Sequence, residues 1–298
     1  MTHQFVAIDI GGTTIKADVY DENGQSFHQF KEIDTLIDYE KQTNNILEQV
    51  IKIVEEYART MRIDGIAIST AGVVDSDKGE ITYAGYTIPN YTGTPFKEEL
   101  HNRFNVPVAI ANDVNCAALG EYWQGIEQKY NYIYMITLGT GIGGSLIYNG
   151  HLVTGYSNTA GEVGYIPMGE SDWQTSAATG ALVQRFNEKS SHQVANGKEF
   201  FEYFDAGDPL AEEALDDYLD AVSRGLLTLV YTTNPQCLIV GGGIMARSDV
   251  ILPRLRTKVA ENVQGKQFMP ENIVSAQVGN EAGRLGALYF LLQTMHFV

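Results

Sequence analysis

The sequence has few cysteines and few basic residues. Only two of its 298 residues are cysteine, Cys116 and Cys237, and each lies in an apolar run. They match neither a paired-thiol motif nor a zinc-ligand spacing, so we expect two small buried side chains in a reducing cytosol. Twenty Lys and Arg residues stand against 37 Asp and Glu, giving a net charge of −17 without a basic cluster. This charge disfavours nucleic acid and acidic membrane surfaces as partners.

Long apolar runs are missing as well. No segment approaches the ~18 uninterrupted apolar residues of a membrane span, and the N-terminal sequence MTHQFVAIDIGG lacks the basic and apolar regions of a signal peptide. What is present is a 44% hydrophobic composition, and a folded chain of this length buries roughly 75% of its unfolded surface. We therefore expect a cytoplasmic, soluble protein with one large domain or two ordinary ones.

A pattern of predicted elements occurs twice. In the first half, strands over 5–10 and 15–20 flank two glycines, and a third strand over 25–31, a helix over 39–60 and a strand over 63–69 follow. In the second half, strands over 131–138 and 145–148 flank the glycine turn 139–144, and a helix over 209–233 and a strand over 236–240 follow. This repeat predicts two α/β domains that face each other across an interdomain cleft.

The predicted domain boundaries follow from the same pattern. A smaller N-terminal domain is predicted over 1–115, and a larger C-terminal domain over 116–280. The chain is expected to cross between them near 113–125. The apolar helix over 281–295 is expected to pack back onto the first domain, so 281–298 is assigned there.

Three glycine turns follow predicted strands. The first contains Gly11, Gly12, Thr13 and Thr14, with Asp9 placed where it could hold a hydrated divalent metal. The second contains Gly139, Thr140, Gly141, Gly143 and Gly144, and the third contains Gly241, Gly242 and Gly243. Bare backbone amides can approach an anion closely. Each turn alone is also explained by a hairpin that needs positive φ, or by close helix-to-strand packing. Together they predict a nucleoside triphosphate site, although neither the dinucleotide fingerprint nor the Walker loop is present.

Carboxylates occupy two further positions of interest. Asp113 follows Asn112 and the apolar strand 106–111, at the start of a predicted helix. It is either a simple N-cap or a general base for a substrate hydroxyl. Glu162 lies in the segment AGEVGYIPMG and is either solvated or a buried acceptor for sugar hydroxyls. The turn-rich segment around Asn90 is either a sugar-contacting loop or a surface turn.

Taken in order, these motifs resemble the ROK family of bacterial sugar kinases, within the actin-like ATPase superfamily that includes hexokinase. The motifs are DIGGTTIKADVY, STAGVVD, ANDVNCAALGE, TLGTGIGGSLIYNG, AGEVGY, IVGGG and AGRLGALYF. The resemblance implies paired ribonuclease-H-like domains, ATP and Mg2+ as cofactors, a homodimer, and γ-phosphoryl transfer to a sugar hydroxyl, usually the one on C6.

The resemblance also implies roles for individual residues. Asp113 would be the general base, Asn112 a sugar ligand, and Glu162 a ligand of sugar hydroxyls. Asp9 would lie beside Mg2+, through water. The residues implied to contact ATP are Gly11, Gly12, Thr13, Thr14, Gly139, Thr140, Gly141, Gly242 and Gly243. The further positions implied to bind the sugar are Gly72, Asn90, Tyr165 and Gln174.

Two departures from the family pattern bear on the substrate. Many members carry a histidine, which contacts the sugar and ligates zinc, where this chain has Tyr165. The segment 169–178 (GESDWQTSAA) lacks the cysteines of their zinc loop and has Gln174 in place of a second sugar-binding glutamate. We therefore expect no zinc, since a tetrahedral site needs four ligands. Loss of the histidine favours a sugar substituted at C1, and GYTIPNYTGT is similar to β-glucoside kinases.

Several alternatives stay open at this point. The sugar could be a β-glucoside such as cellobiose or gentiobiose, or glucose itself. Within the same family the chain could be an N-acetylmannosamine kinase or a fructokinase. A sugar-sensing transcriptional regulator is disfavoured because the first strand begins at Phe5, which leaves no room for a helix-turn-helix module. An ATP-driven scaffold would share the nucleotide site but not Glu162.

Overall fold

The computed structural model describes residues 2–85, 88–126 and 130–298. Within them the chain forms two compact units. Unit 1 comprises Met1–Gln128, Gly155–Thr159 and Gln277–Val298, and unit 2 comprises Lys129–Thr154 and Ala160–Ala276. No helix among the described residues is both long and apolar enough to cross a membrane.

Among the described residues, unit 1 is built on a five-stranded sheet with the strand order β3-β2-β1-β6-β9. The strands of unit 1 are β1 Phe5–Ile10, β2 Thr14–Tyr20, β3 Lys31–Asp34, β4 Ile37–Asp38, β5 Thr43–Asn44, β6 Gly65–Thr70, β7 Val73–Asp75, β8 Glu80–Tyr83 and β9 Val108–Asn112. Its helices are α1 Ile46–Ala58, α2 Phe96–Phe104, α3 Asp113–Gly120 and, at the C-terminus, α9 Ala282–Thr294. Strands β1, β2 and β3 form an antiparallel meander, whereas β1, β6 and β9 are parallel.

Helices cover both faces of this sheet, which explains why β1 reads as a continuous apolar run. Alternate residues of a strand point to opposite faces. Val6 and Ile8 therefore pack with Val50 and Val54 of α1. Phe5 and Ala7 pack in a second cluster with leucines of α9. The C-terminal helix thus lies on unit 1, where the sequence places it.

Unit 2 repeats the arrangement, with a five-stranded sheet in the order β12-β11-β10-β15-β16 over the described residues. Its strands are β10 Tyr132–Leu138, β11 Ile142–Tyr148, β12 His151–Leu152, β13 Pro167–Met168, β14 Ser171–Asp172, β15 Cys237–Gly241 and β16 Asn272–Ser275. Its helices are α4 Trp173–Ala177, α5 Thr179–Lys189, α6 Gly197–Asp205, α7 Pro209–Thr233 and α8 Ser248–Asn262. The predicted duplicated α/β fold is confirmed. The cleft expected between the domains stays a prediction.

Some predicted elements begin or end elsewhere. The third strand of unit 1 is not at 25–31 but at Lys31–Asp34, because the Asp18 carboxylate accepts hydrogen bonds from Ser26 Oγ at 2.7 Å and Gln29 N at 2.8 Å. These bonds hold the intervening residues as a loop beside β2. The first helix begins at Ile46 rather than near 39, since the short strands β4 and β5 precede it.

The crossing segment belongs to unit 1, which shifts the unit boundaries from the predicted 115/116 and 280/281. Helix α3 packs closely on α9 through glycine: a Cβ on Gly120 would lie 2.3 Å from the Ala282 carbonyl oxygen. A π-helical turn, Glu121–Gly125, follows α3. The buried Glu121 carboxylate accepts hydrogen bonds from the backbone N–H groups of Gln277 and Val278, both at 2.8 Å. These contacts hold 113–125 against the start of the C-terminal segment.

Glu121 gives a direct test of this junction. Glu121→Gln replaces one oxygen of the buried carboxylate with an NH2 group, so one of the two backbone donors, Gln277 or Val278, loses its acceptor. We expect the free energy of unfolding to fall by about 1 to 3 kcal/mol. Urea unfolding followed by tryptophan fluorescence measures it, with Glu271→Gln at an exposed position as the control. Equal stability of the two variants would contradict the role of Glu121 in holding this junction.

The same variant has a predicted pH dependence. Burial raises the pKa of Glu121, although the two N–H donors act in the opposite direction. The folded protein therefore holds this proton to a higher pH than the unfolded chain does. The contribution of the protonated Glu121 carboxyl to the free energy of unfolding is fully present below about pH 4.5. It is lost as the pH rises through the pKa of Glu121 in the folded protein. The stability deficit of Glu121→Gln relative to wild type should be larger at pH 5 than at pH 8.

Candidate functional site

The first glycine turn joins β1 to β2 and is open to solvent. Gly11 N–H donates to the Thr14 carbonyl at 2.9 Å, which closes the turn. Neither Gly11 nor Gly12 has positive φ, so a left-handed hairpin turn does not explain the glycines. A Cβ on Gly12 would meet no atom within 4 Å, and Gly12 and Thr13 are exposed. The turn therefore leaves space beside Gly12 for a ligand, while Thr35 donates to the Gly11 and Thr13 carbonyls.

Asp9 lies one strand residue before this turn. Ser69 Oγ donates to Asp9 Oδ1 at 2.7 Å, and a Cβ on Gly283, in the first turn of α9, would lie 2.9 Å from the same oxygen. Carboxylate and hydroxyl oxygens are the donors that Mg2+ prefers, and Mg2+ usually keeps several waters. The donors around Asp9 therefore fit a hydrated Mg2+. In the described part of the chain, no group of three or more His, Cys, Asp or Glu could hold a metal by itself.

Asn112 is the residue that organises the end of β9. Its Oδ1 caps α3 by accepting from Val114 N at 2.9 Å and Asn115 N at 3.2 Å. Its Nδ2 donates to the Gly72 carbonyl at 3.0 Å and to Asp113 Oδ1 at 2.9 Å. The cap of α3 is thus Asn112, and the interpretation of Asp113 as a simple N-cap is wrong.

Asp113 is the first residue of α3 and is exposed. Its Oδ1 accepts from Val114 N at 2.9 Å in addition to the Asn112 amide. The positive end of the helix dipole favours a carboxylate at this position. Two donors fix one oxygen of a solvent-accessible carboxylate, an arrangement suited to a general base.

Gly72 and the segment around Asn90 lie beside this group. Gly72 has a φ of +97°, and a Cβ there would lie 2.8 Å from the Tyr83 carbonyl oxygen. The buried Tyr91 hydroxyl lies 2.7 Å from Thr70 Oγ1, and Thr70 pairs with Asn112 across β6 and β9. Asn90 itself is exposed and lines a surface pocket of about 370 Å³. Tyr86 and Thr87 of the predicted sugar loop lie outside the described residues.

The second glycine turn, in unit 2, is shorter than predicted. Strand β11 begins at Ile142, so Gly143 and Gly144 belong to it. A Cβ on Gly144 would come within 2.9 Å of the Tyr134 ring, which makes this glycine a packing requirement. The turn itself is 139–141, in which Gly139 N–H donates to the Gly141 carbonyl at 3.0 Å. A Cβ on Gly139 would meet nothing within 4 Å.

Adjacent glycines after β15 differ in what they do. Gly242 has a φ of +94°, and a Cβ there would lie 2.3 Å from the Leu138 carbonyl oxygen. It is required for the turn. Gly243 begins a short helix, Gly243–Arg247, and a Cβ there would meet nothing within 4 Å. Of the two predicted adenosine contacts, Gly243 is therefore the one with open backbone.

A pocket of about 850 Å³ joins these features within unit 2. Its lining includes Gly139 and Thr140, the first residues of α5, the first turn of α6 and the helix that starts at Gly243. The α5 start, Thr179 and Gly180, has no side-chain cap. Thr179 Oγ1 is buried and has no hydrogen-bond partner among the described residues. Helix N-termini favour anions, so this end of the pocket suits phosphate.

Sequence reasoning missed the contribution of α5 and α6 to this pocket. The available signal was the Thr-Gly pair at 179–180, which starts a helix without a capping side chain. Gly180 is exposed, and a Cβ there would meet nothing within 4 Å. It shares this property with Gly139 and Gly243.

The segment with Glu162 is fixed to β11 by a close glycine contact. Gly161 has a φ of +104°, and a Cβ there would lie 2.2 Å from the Gly144 carbonyl oxygen. Of the two alternatives for Glu162, the structure shows the exposed one, although partial desolvation raises the pKa of its carboxyl. Tyr165 is 61% exposed at the end of a short helix, Val163–Tyr165.

Gln174 lies close to both the Glu162 segment and the glycine turn 139–141. Its Oε1 lies 3.1 Å from where a Cβ on Gly141 would be and 3.0 Å from that of Gly164. The structure therefore brings Gln174 beside both the glycine turn and the Glu162 segment. It also brings Asn112, Asp113 and Gly72 together in unit 1. Asp9 and the first turn lie at the end of β1, which β6 separates from β9 in the same sheet.

The sequence of this chain is similar to those of known proteins. The sequence pattern of the ROK family matches residues 5–294. A β-glucoside kinase from Listeria innocua is 31% identical, over 97% of this chain and 98% of its own length.

Solved structures have a similar fold over nearly the whole chain. A ROK family protein from Streptococcus pneumoniae, solved with sucrose, aligns with a TM-score of 0.86 at 27% identity, covering 99% of this chain and 100% of that one. A ROK family glucokinase from Streptomyces griseus, solved with glucose and AMPPNP, aligns with a TM-score of 0.78 at 27% identity, covering 97% and 99%.

The neighbouring glycines 242 and 243 provide a matched pair of variants. Gly242→Ala places a Cβ against the Leu138 backbone at positive φ, so we expect a loss of at least about 2 kcal/mol in the free energy of unfolding. Gly243→Ala adds a methyl group to open space and should change stability by no more than about 0.5 kcal/mol. Urea unfolding measures both. A large loss in Gly243→Ala would show that the fold itself needs this glycine.

Proposed function

The chain belongs to the ROK family, and from that premise we propose that it is an ATP-dependent sugar kinase that phosphorylates the C6 hydroxyl of a hexose unit. The observation that carries the proposal is the pocket of unit 2. It is large enough for a nucleotide, and open glycine backbone and an uncapped helix start line it. The S. griseus relative, solved with glucose and AMPPNP, supports the same ligand pair.

The phosphates are assigned to the glycine turns. In unit 2 they would lie against the turn of Gly139, Thr140 and Gly141, in which the Gly139 N–H already donates to Gly141, and against the start of α5. Gly242 and Gly243 would lie against the adenosine. In unit 1 the phosphates would lie against the turn of Gly11, Gly12, Thr13 and Thr14, which the Gly11 N–H closes by donating to Thr14. Because these groups are positioned before the ligand arrives, they stabilise charge without reorganising.

The sugar is assigned to residues of both units. In unit 1 these are Asn112, Gly72, Asn90 and the base Asp113, and in unit 2 they are Glu162, Tyr165 and Gln174. Glu162 supports this role, since its side chain is exposed and partial desolvation raises the pKa of its carboxyl.

Asp113 is the proposed general base. One oxygen of its carboxylate is held by Asn112 Nδ2 and Val114 N–H, and the sugar hydroxyl would donate to the carboxylate. As the hydroxyl oxygen forms its bond to the γ-phosphorus, its proton passes to Asp113 and the bond from phosphorus to the ADP oxygen breaks. Phosphoryl transfer depends mainly on in-line positioning and charge neutralisation. Mg2+ held through water by Asp9 would supply part of that neutralisation.

A sugar substituted at C1 is the proposed substrate class, as in cellobiose or gentiobiose. The L. innocua β-glucoside kinase supports it, and so does the S. pneumoniae relative solved with sucrose, a disaccharide. Tyr165 is well exposed, so its ring offers a surface rather than a buried donor near the anomeric end. A cytoplasmic location, a homodimer, and the absence of zinc and of a nucleic-acid partner stay predictions.

Replacing the base tests the catalytic assignment. Asp113→Asn keeps the size of the side chain but cannot accept the proton, so kcat should fall by at least ~100-fold while sugar binding persists. A coupled ADP-release assay gives kcat, and calorimetry gives the sugar dissociation constant. Asp77→Asn, at an exposed position of unit 1, is the control. Wild-type turnover by Asp113→Asn would rule out Asp113 as the base.

A sugar panel tests the substrate class. Glucose, cellobiose, gentiobiose, N-acetylmannosamine and fructose are compared by kcat/KM, and we expect the disaccharides to lead. Tyr165→His should raise the ratio of glucose to cellobiose by about fivefold or more, the effect of one gained polar contact. Tyr156→His, at a fully exposed position, is the control.

The panel also separates the alternatives. Strong preference for glucose, N-acetylmannosamine or fructose would contradict the β-glucoside assignment but not the kinase. Sugar binding without ADP release would indicate a regulator. ADP release that does not depend on sugar would indicate an ATP-driven scaffold.

A further inference from the structure

Arg247 occupies one wall of the unit 2 pocket in a fixed, flat arrangement. Its Nη1 and Nη2 donate to the two carboxylate oxygens of Asp205, each at 3.0 Å. Its Nε donates to Asp249 Oδ1 at 3.3 Å. The guanidinium carbon lies 4.6 Å from the centroid of the Phe201 ring. Three contacts therefore orient the plane of this side chain.

The surroundings of Arg247 suit a flat aromatic ligand. Arg247, Phe201 and Asp205 all line the pocket, as do the apolar side chains of Val183 and Ile244. Phe201 is only 6% exposed, so its ring is support beneath the guanidinium rather than a free surface. A planar guanidinium stacks on aromatic rings, whereas a lysine ammonium offers only a point charge.

Resting on the nucleotide site of the proposed function, we propose that the Arg247 guanidinium is the platform on which the nucleobase of the bound nucleotide stacks. Phe201 and Asp205 are positioning residues that hold the platform flat. The phosphates are held by the glycine turn and the α5 start, in the same pocket. Arg247 would then set the preference for a purine nucleotide, because a purine overlaps the guanidinium more than a pyrimidine does.

The chain contains a matched control for this arrangement. Arg254 forms a bidentate pair with Glu212, and its guanidinium carbon lies 5.2 Å from the centroid of the Phe204 ring. Each of the two arginines therefore forms an ion pair with a carboxylate and packs over a phenylalanine of α6. Arg254 is not among the residues that line the pocket. If such a pair had only a structural role, replacing either arginine would have the same effect on ADP binding.

Calorimetric titration with ADP in the presence of Mg2+ tests the proposal on wild type, Arg247→Lys and Arg254→Lys. Arg247→Lys keeps the positive charge but loses the plane, so its dissociation constant for ADP should rise at least about fivefold. Arg254→Lys should stay within twofold of wild type, and glucose binding should be unchanged in both. A change of less than twofold in Arg247→Lys, or equal losses in both variants, would overturn the proposal.

A second measurement needs no variant. Wild-type protein is titrated with ADP, GDP, CDP and UDP, and the two purine nucleotides should bind several-fold more tightly than the two pyrimidine nucleotides. Equal affinity for all four would overturn the stacking platform. Failure of the wild type to bind any of them would instead contradict the proposed nucleotide site itself.

Discussion

Bare backbone at the ends of strands is the constraint on which this structure depends. The glycines near these ends fall into two kinds. At Gly72, Gly144, Gly161 and Gly242 a Cβ would meet another part of the chain within 3 Å, so the fold needs a glycine there. At Gly12, Gly139, Gly180 and Gly243 a Cβ would meet nothing within 4 Å. The crowded glycines hold the loops in place, and the open glycines leave room for a ligand to approach the backbone.

The catalytic assignment depends on the hydrogen bonds of one side chain. Asn112 caps α3, accepts two N–H groups, and donates to both the Gly72 loop and Asp113. Beneath it, α3 lies close to α9, where a Cβ on Gly286 would overlap the Cys116 carbonyl. The start of α3 is therefore held from several directions. A base on a rigid helix start can be placed accurately against a substrate hydroxyl.

Local signals in the sequence were enough for the repeated fold and for the ends of β1 and β10, since apolar runs stopped by glycine are short-range patterns. Contacts that depend on distant residues were not predictable. Either Asn112 or Asp113 could cap a helix. Asn112 does so, and its amide is oriented by the Gly72 carbonyl, 40 positions away. The pocket walls from α5 and α6 likewise meet the 139–141 turn only after folding. The third strand was misplaced because a side chain, Asp18, holds residues that looked extended.

The central claim is that the chain moves a phosphoryl group from ATP to a sugar. The most direct measurement is ³¹P NMR of the wild-type protein with ATP, Mg2+ and cellobiose, read against the same mixture without sugar. Our account predicts that the γ-phosphate signal is replaced by a sugar phosphate monoester in equal amount to ADP, with little change when sugar is left out. Appearance of inorganic phosphate at the same rate with and without any sugar would contradict it.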